Sequence, residues 1–387
     1  MLHNETFLEK VRCLELDSLK FKELTNEELD FLDVVQYLLQ NEFHLVERDV
    51  KTILAQNDNN TFKYEYLQFL TYSFLFQSKW KELLPNRELY FYDPDSVFLL
   101  AQMFSTIDTQ RIFFKKGIDS LSFTIAPNGA IIIQVQINGK TRNFWFDSGS
   151  NYSIVSSKTA EDCNLPIITK EKSKAITYTN YKVDVIPTYI PTLSFGNIEI
   201  VNHPALIVDD YNLKLNLWAS KVPVEIYGIL GWRFMQNFKV TIDYNKNTII
   251  LEKPNKKSNL NPNFFWYGVP IVIGKFQNKK MLFALDLGSE RSYLTENVFQ
   301  KVSFQKIYEQ TKKIGSVGGW KFSPSWVVPY FEVYIDTFKV SFYDINTLRL
   351  SNDYFFKLDG ILGLDIFKKS QISFDILNSE FRILRKY

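Results

Sequence analysis

Phe144-Trp145-Phe146-Asp147-Ser148-Gly149-Ser150 runs three large apolar residues into a carboxylate, followed by a hydroxyl, a glycine and a second hydroxyl. Apolar residues ahead of the Asp suit a buried strand, and Ser-Gly-Ser behind it suits a tight turn. The pattern predicts a carboxylate held at the end of a core strand, where the chain turns. One carboxylate so placed does little hydrolysis alone. Two that share a proton can hydrolyse an amide, one taking a proton from water while the other protonates the carbonyl oxygen. A second such stretch stands at Leu282-Phe283-Ala284-Leu285-Asp286-Leu287-Gly288-Ser289.

Outward from Asp147, residues 130–137 form a β-rich apolar run, Asn138-Gly139 is a strong two-residue hairpin signal, and residues 141–146 return as a strand. Further short strands are expected, with Pro187, Pro191 and Gly196 between them. Ile229-Leu230-Gly231 opens the next segment. Residues 240–243 and 248–251 read as a hairpin across Asn245-Lys246-Asn247. Residues 253–263, polar and carrying Pro254 and Pro262, read as a linker.

Beyond the linker the pattern starts again. With Asp286 laid over Asp147, Gly288 falls on Gly149, Ser289 on Ser150, Ser292 on Ser153 and Thr295 on Ser156. With Ile361-Leu362-Gly363 laid over Ile229-Leu230-Gly231, Asp375 falls on Asp243 and Ile383 on Leu251. Two blocks recur in the same order, with middles of different length, as an internal duplication would leave them.

These blocks resemble the aspartic proteases, in particular the retropepsin-like lobe, here duplicated within one chain as in the pepsin-like enzymes. The family pattern is Asp-Thr/Ser-Gly followed later by two apolar residues and Gly. Asp147-Ser148-Gly149 with Ile229-Leu230-Gly231 matches it fully; Asp286-Leu287-Gly288 with Ile361-Leu362-Gly363 departs from it at Leu287. The resemblance covers roughly residues 120–387 and implies a mainly β, two-lobed, acid-protease-like β-barrel fold. It implies that Asp147 and Asp286 face each other, within hydrogen-bond reach, share one proton and titrate as a pair. Gly149 and Gly288 would let the backbone turn and present amides to the carboxylates. In the family the hydroxyl at the position of Leu287 crosses to brace the opposite loop, so Ser148 is left as the one brace. Ser150 and Ser289 are expected to donate to the carboxylate of their own half and to draw the dyad toward an acidic working range. A flap is expected in each half: around residues 175–183 with Tyr178 or Tyr181 at its tip, and at Gly315-Ser316-Val317-Gly318-Gly319-Trp320, where Gly318-Gly319 suits a tight hairpin ahead of Trp320.

Residues 1–116 read differently. Thr25-Asn26-Glu27-Glu28 is a capping-box pattern ahead of Leu32, Val35, Leu38 and Leu39 at helical spacing. Phe7, Leu8, Val11 and Leu14 repeat likewise, as do Tyr66, Leu67, Leu70 and Phe74. A start signal at Asp93-Pro94-Asp95-Ser96 precedes Val97, Leu100 and Phe104. This is a helical accessory domain, similar to a small helical-repeat array, with a protein-binding surface as the sharper alternative. The expected domains are thus residues 1–116 (helical), 117–254 (first lobe) and 255–387 (second lobe), with residues 120–387 able to fold alone.

Composition narrows the function. A net charge of +2 gives no reason to expect nucleic acid or an anionic membrane as partner. Cys13 and Cys163 have no metal-like spacing, and His3, His44 and His203 are scattered, which argues against zinc hydrolysis and Ser-His catalysis. The chain lacks an apolar run of about 18 residues, so no membrane span is expected. As numbered, no secretory signal is visible; the helices ahead of the first lobe are similar to those of secreted or periplasmic bacterial members of the family, and the compartment stays open. The resulting expectation is an aspartic endopeptidase acting on an extended peptide or protein substrate. It would use neither metal nor organic cofactor, and would work as a monomer because both lobes lie in one chain. The rivals are an inactive peptide-binding protein on the same fold, favoured by Leu287, and an interaction protein acting through its helices.

Overall fold

The computed structural model describes residues 2–19, 23–85, 94–169, 171–176, 182–213, 226–257, 259, 261–316, 319–349, 354–368 and 370–386. The α-helices ahead of the strands, among the described residues, are α1 (Leu2–Arg12), α2 (Asn26–Leu39), α3 (Phe43–Gln56), α4 (Lys63–Phe76), α5 (Trp80–Leu83) and α6 (Pro94–Phe104). Thr25 caps α2 as its sequence predicts. Its Oγ1 accepts from the Glu28 N–H at 3.2 Å, while the Glu28 carboxylate accepts from the Thr25 N–H at 2.8 Å. Helix α3, not singled out by its sequence, buries Phe43, Val46 and Val50 along one face.

The chain then turns to strands. These are β1 (Arg111–Phe114), β2 (Ile118–Ser122), β3 (Thr124–Ile125), β4 (Ile131–Ile137), β5 (Lys140–Phe146), β6 (Ser153–Ser156), β7 (Ser173–Ile176), β8 (Lys182–Phe195), β9 (Ile198–Val208), β10 (Gly228–Leu230), β11 (Lys239–Asp243) and β12 (Thr248–Glu252). Strands β9, β6, β10, β5, β4 and β8 pair in that order, and β8 pairs back onto β9 to close a six-stranded barrel. Strand β1 adds to β9, so the sheet begins at Arg111, ahead of the boundary read from periodicity. Asn138 and Gly139 both take positive φ at the β4–β5 turn, as a tight hairpin requires.

The sequence predicts breaks between short strands at Pro187 and Pro191, yet β8 runs through both. Pro191 is tolerated because the ladder skips it: Ile190 pairs with His203 and Thr192 with Val201, opposite Asn202 at φ 58°. A proline without an N–H fits an irregularity of that kind.

After residues 253–263 the strands are β13 (Phe264–Trp266), β14 (Pro270–Phe276), β15 (Lys279–Leu285), β16 (Tyr293–Leu294), β17 (Tyr308–Ser316), β18 (Gly319–Ile335), β19 (Phe338–Asn346), β20 (Gly360–Leu362), β21 (Ser370–Asp375) and β22 (Glu380–Lys386). The central order β16-β20-β15-β14-β18-β17 makes an eight-stranded sheet with β13 and β19. In both halves a three-residue strand lies parallel to the strand that carries the Asp. Leu230 pairs opposite Phe146, and Leu362 opposite Leu285. A third sheet, β2-β12-β11-β21-β22, takes strands from both halves and ties them together along β11 and β21. At the entry to β20, Asp359 accepts from the Leu282 N–H and from Lys301 Nζ, at 2.8 and 2.7 Å, in a fully buried ion pair. Burial pushes the Asp359 carboxyl up and the Lys301 charge opposes it.

The helices share the core of the strands. Phe69 and Phe31 meet Phe355 at ring separations of 4.9 and 6.0 Å, and Tyr72 meets Tyr267 at 4.2 Å. Phe76 packs on Trp266 at 5.3 Å. Asn41, at φ 55° after α2, bonds the Phe264 and Ile376 carbonyls and Ser379 Oγ through its Nδ2, and accepts from the Trp266 N–H. The apolar residues of helices and strands thus form one continuous cluster. Among the described residues no helix is long and apolar enough to cross a membrane.

Candidate active site

Asp147 follows β5 and Asp286 follows β15, each just past the strand end. Their backbone N–H groups donate to the carbonyls of Leu230 and Leu362, so β10 and β20 fix where each carboxylate starts. The two loops then interdigitate. A Cβ at Gly149 would lie 2.5 Å from Asp286 Oδ1, and one at Gly288 would lie 2.4 Å from Asp147 Oδ1. Any side chain at either position would displace the facing carboxylate. This close approach, more than the turn itself, is what demands glycine.

The two carboxylates face each other, each close against the glycine of the opposite loop. Asp147 Oδ1 accepts from the Gly149 N–H at 2.8 Å, and Asp286 Oδ1 from the N–H groups of Gly288 and Ser289 at 2.9 and 3.0 Å. Burial raises both carboxyls above the ordinary range, with the loop amides opposing it, and the charge of Asp147 pushes Asp286 up further. A raised carboxyl keeps its proton to higher pH than a solvated one would.

Ser148 is the brace between the loops. Its hydroxyl donates to the Leu285 carbonyl at 2.8 Å and accepts from the Leu287 N–H at 2.9 Å. One side chain thus satisfies two backbone groups of the opposite loop. Leu287 is fully buried among the core residues.

Ser150 and Ser289 do not do what their positions promise. Ser150 Oγ donates to the Tyr152 carbonyl and Ser289 Oγ to the Arg291 carbonyl, both at 2.8 Å. Each hydroxyl closes its own loop, and Asp286 receives the backbone N–H of Ser289 instead. A serine two residues ahead of a loop carbonyl is within easy reach of it, and that local bond wins.

Ser153 and Ser292, aligned in sequence but given no role, matter as well. Ser153 Oγ accepts from the Gly231 N–H at 3.3 Å and Ser292 Oγ from the Gly363 N–H at 2.9 Å. Each ties its Asp loop to the apolar-apolar-Gly block behind it. The signal was in the sequence, as a serine repeated at matching places. Ser153 also bonds Nε2 of the buried His203, whose Nδ1 meets Gln110 Oε1. Burial drives the imidazole down to about 3, so His203 is neutral and structural.

The flap candidates fall partly outside the described residues. Strands β7 and β8 pair as far as Ile176 with Lys182, and Tyr178 and Tyr181 lie outside the described residues. Strands β17 and β18 pair up to Ser316 with Gly319, with Trp320 opposite Gly315; Gly318 lies outside. No group of three or more His, Cys, Asp or Glu among the described residues is placed to hold a metal ion.

No curated protein matches the chain. Solved structures similar to it include a retropepsin-like aspartic protease from Rickettsia conorii, 17% identical, with 37% of this chain and 91% of that chain covered and a TM-score of 0.24. Residues 133–234, which carry Asp147 and Ile229-Leu230-Gly231, match the family model of the aspartyl proteases.

Proposed function

We propose that the protein is an aspartic endopeptidase in which Asp147 and Asp286 activate one water against a peptide carbonyl. One observation carries this: two carboxylates from matching loops face each other, each seated against the glycine of the opposite loop. Carboxylates so placed cannot both ionise cheaply, so one proton is shared. With the proton on Asp286, the Asp147 carboxylate takes a proton from water as its oxygen attacks. Asp286 gives its proton to the carbonyl oxygen, and a tetrahedral diol forms. On collapse, Asp147 returns its proton to the leaving nitrogen, the C–N bond breaks, and a diol hydroxyl re-protonates Asp286.

The two β halves are read as copies of one lobe. The same Asp–Gly–Ser spacing, the same parallel three-residue strand and the same serine tie recur in each. Because one chain supplies both Asp loops, the site needs no second subunit, and the protein is proposed to act as a monomer. The substrate is an extended peptide lying across the dyad between the β7–β8 and β17–β18 hairpins, held by strand-like main-chain bonds. In this reading the chain divides into residues 1–116, 117–254 and 255–387, with β1 at the end of the first adding to the sheet of the second.

The inactive-binder alternative rests on Leu287, and against it stands the one brace that remains: Ser148 bonds both Leu285 and Leu287 across the loops. Digestion of a mixed peptide library by wild type and by Asp147→Asn separates the two readings. An endopeptidase cleaves and loses cleavage in the variant; a binding protein cleaves with neither.

A further inference from the structure

Arg233 is the second residue of the short helix Trp232–Met235, which follows Gly231. In the other half the corresponding residue, Asp365, stays at the surface and accepts from the N–H and hydroxyl of Ser292. Arg233 does the opposite. Its side chain leaves the strands, enters the helical region, and is buried there to 7% exposure. Its Nη2 donates to the Leu75 carbonyl at 2.6 Å and its Nη1 to Ser78 Oγ at 3.1 Å. Leu75 lies in the last turn of α4, the end of a helix that favours a cation. The guanidinium also lies over Trp80 at 4.5 Å and over Tyr152 at 4.9 Å. Hydrogen bonds and two aromatic faces offset the cost of taking this charge out of water.

The other end of Arg233 reaches the loop that carries Asp147. Its backbone N–H donates to the Asn151 carbonyl, and that of Trp232 to the Ser150 carbonyl. Tyr152, in the same loop, is held between Arg233 and Phe104 of α6, whose ring stacks on it at 5.9 Å. The end of α4, α5 and α6 therefore meet at the back of one Asp loop. The Asp286 loop is tied at the equivalent place by Asp365 of its own half, through Ser292.

We infer that the N-terminal helices brace the Asp147 loop from behind, and that Arg233 is the positioning residue through which they do so. This rests on the peptidase reading for its consequence: the helices hold Asp147 at bonding distance from Asp286. Arg233 touches no substrate and moves no proton.

The test uses the full-length chain. Arg233→Lys keeps the charge but cannot bridge Leu75 and Ser78 or stack as a plane. Ser78→Gly removes only the hydroxyl partner, at a residue with φ 56° that glycine adopts without strain, so it keeps the test open if the first variant folds poorly. For Arg233→Lys, kcat should fall about tenfold with KM within about twofold, because a displaced carboxylate costs the chemical step more than binding. Ser78→Gly should move kcat in the same direction, by about threefold, without lowering the melting temperature. Amide hydrogen exchange in residues 147–153 should rise in both variants while residues 286–292 keep wild-type exchange. Unchanged kcat in both folded variants, or exchange rising equally in both loops, would overturn the inference while leaving the peptidase reading intact. A wild-type chain that cleaves no peptide would refute the peptidase reading, and the exchange comparison would still decide the brace.

Discussion

One hydroxyl, that of Ser148, makes two hydrogen bonds across the Asp loops. Ser148→Ala leaves the Leu285 carbonyl and the Leu287 N–H unpaired in a buried place, at roughly 1–3 kcal/mol each. A loss of about 2–4 kcal/mol in urea unfolding is expected, with lower turnover. Leu287→Thr, which the family pattern would make harmless, should instead destabilise by about 1–3 kcal/mol, because a fully buried leucine gives way to a hydroxyl. The pH dependence also turns on single residues. Burial holds both Asp carboxyls up, and Asp147 holds Asp286 up further. A raised carboxyl keeps its proton to higher pH, so the one-proton pair survives above the ordinary carboxylate range and the alkaline limb of the pH–rate profile moves up. By the same linkage, a raised Asp286 stabilises the fold fully below its unfolded value, and that contribution is lost as pH rises through the folded one. Ser150→Ala with Ser289→Ala should leave the limb in place, since neither hydroxyl touches a carboxylate. A limb that shifts upward in that double variant would restore the hydroxyls as tuning groups.

Among the elements, Asn41 is the most exposed to test. Four bonds join it to β13 and to the β21–β22 turn. Asn41→Ala removes all of them and places alanine at φ 55°, so thermal or urea unfolding should show a loss of roughly 2–4 kcal/mol. How far the elements were legible depended on whether their cause was local. The β4–β5 hairpin was, because Asn138-Gly139 alone sets the turn, and so was α2, because its capping box is complete within four residues. Asp147 and Asp286 were legible as ends of buried strands. The long strand β8 was not: its prolines read as breaks until the irregularity opposite Pro191, on another strand, is known. The direction of the Ser150 and Ser289 hydroxyls was equally hidden, since a loop carbonyl two residues on competes with the carboxylate and only the folded loop decides. Arg233 carried no signal at all, because its partners lie about 155 residues away in sequence.

At the scale of the molecule, the helices and the strands share one apolar cluster. Periodicity marked a change near residue 116 and gave an expectation that residues 120–387 fold alone. Trp266, Tyr267 and Phe355, however, are covered by rings from α2 and α4, each worth roughly 1.5–3 kcal/mol when buried. Such a fragment also loses β1 and the start of β2. We expect it to show no cooperative thermal transition, whereas a fragment melting cooperatively near the full chain would establish the helices as a separable domain. The central claim is that the Asp147–Asp286 pair hydrolyses peptide bonds, and its most direct measurement is cleavage of a peptide library followed by mass spectrometry for wild type, Asp147→Asn and Asp286→Asn, each checked for a native melting transition. Internal cleavage by wild type, reduced by roughly 10²–10⁴-fold or more in both folded variants, is the predicted result; cleavage that persists in either variant, or a folded wild type that cleaves nothing across acidic to neutral pH, would contradict it.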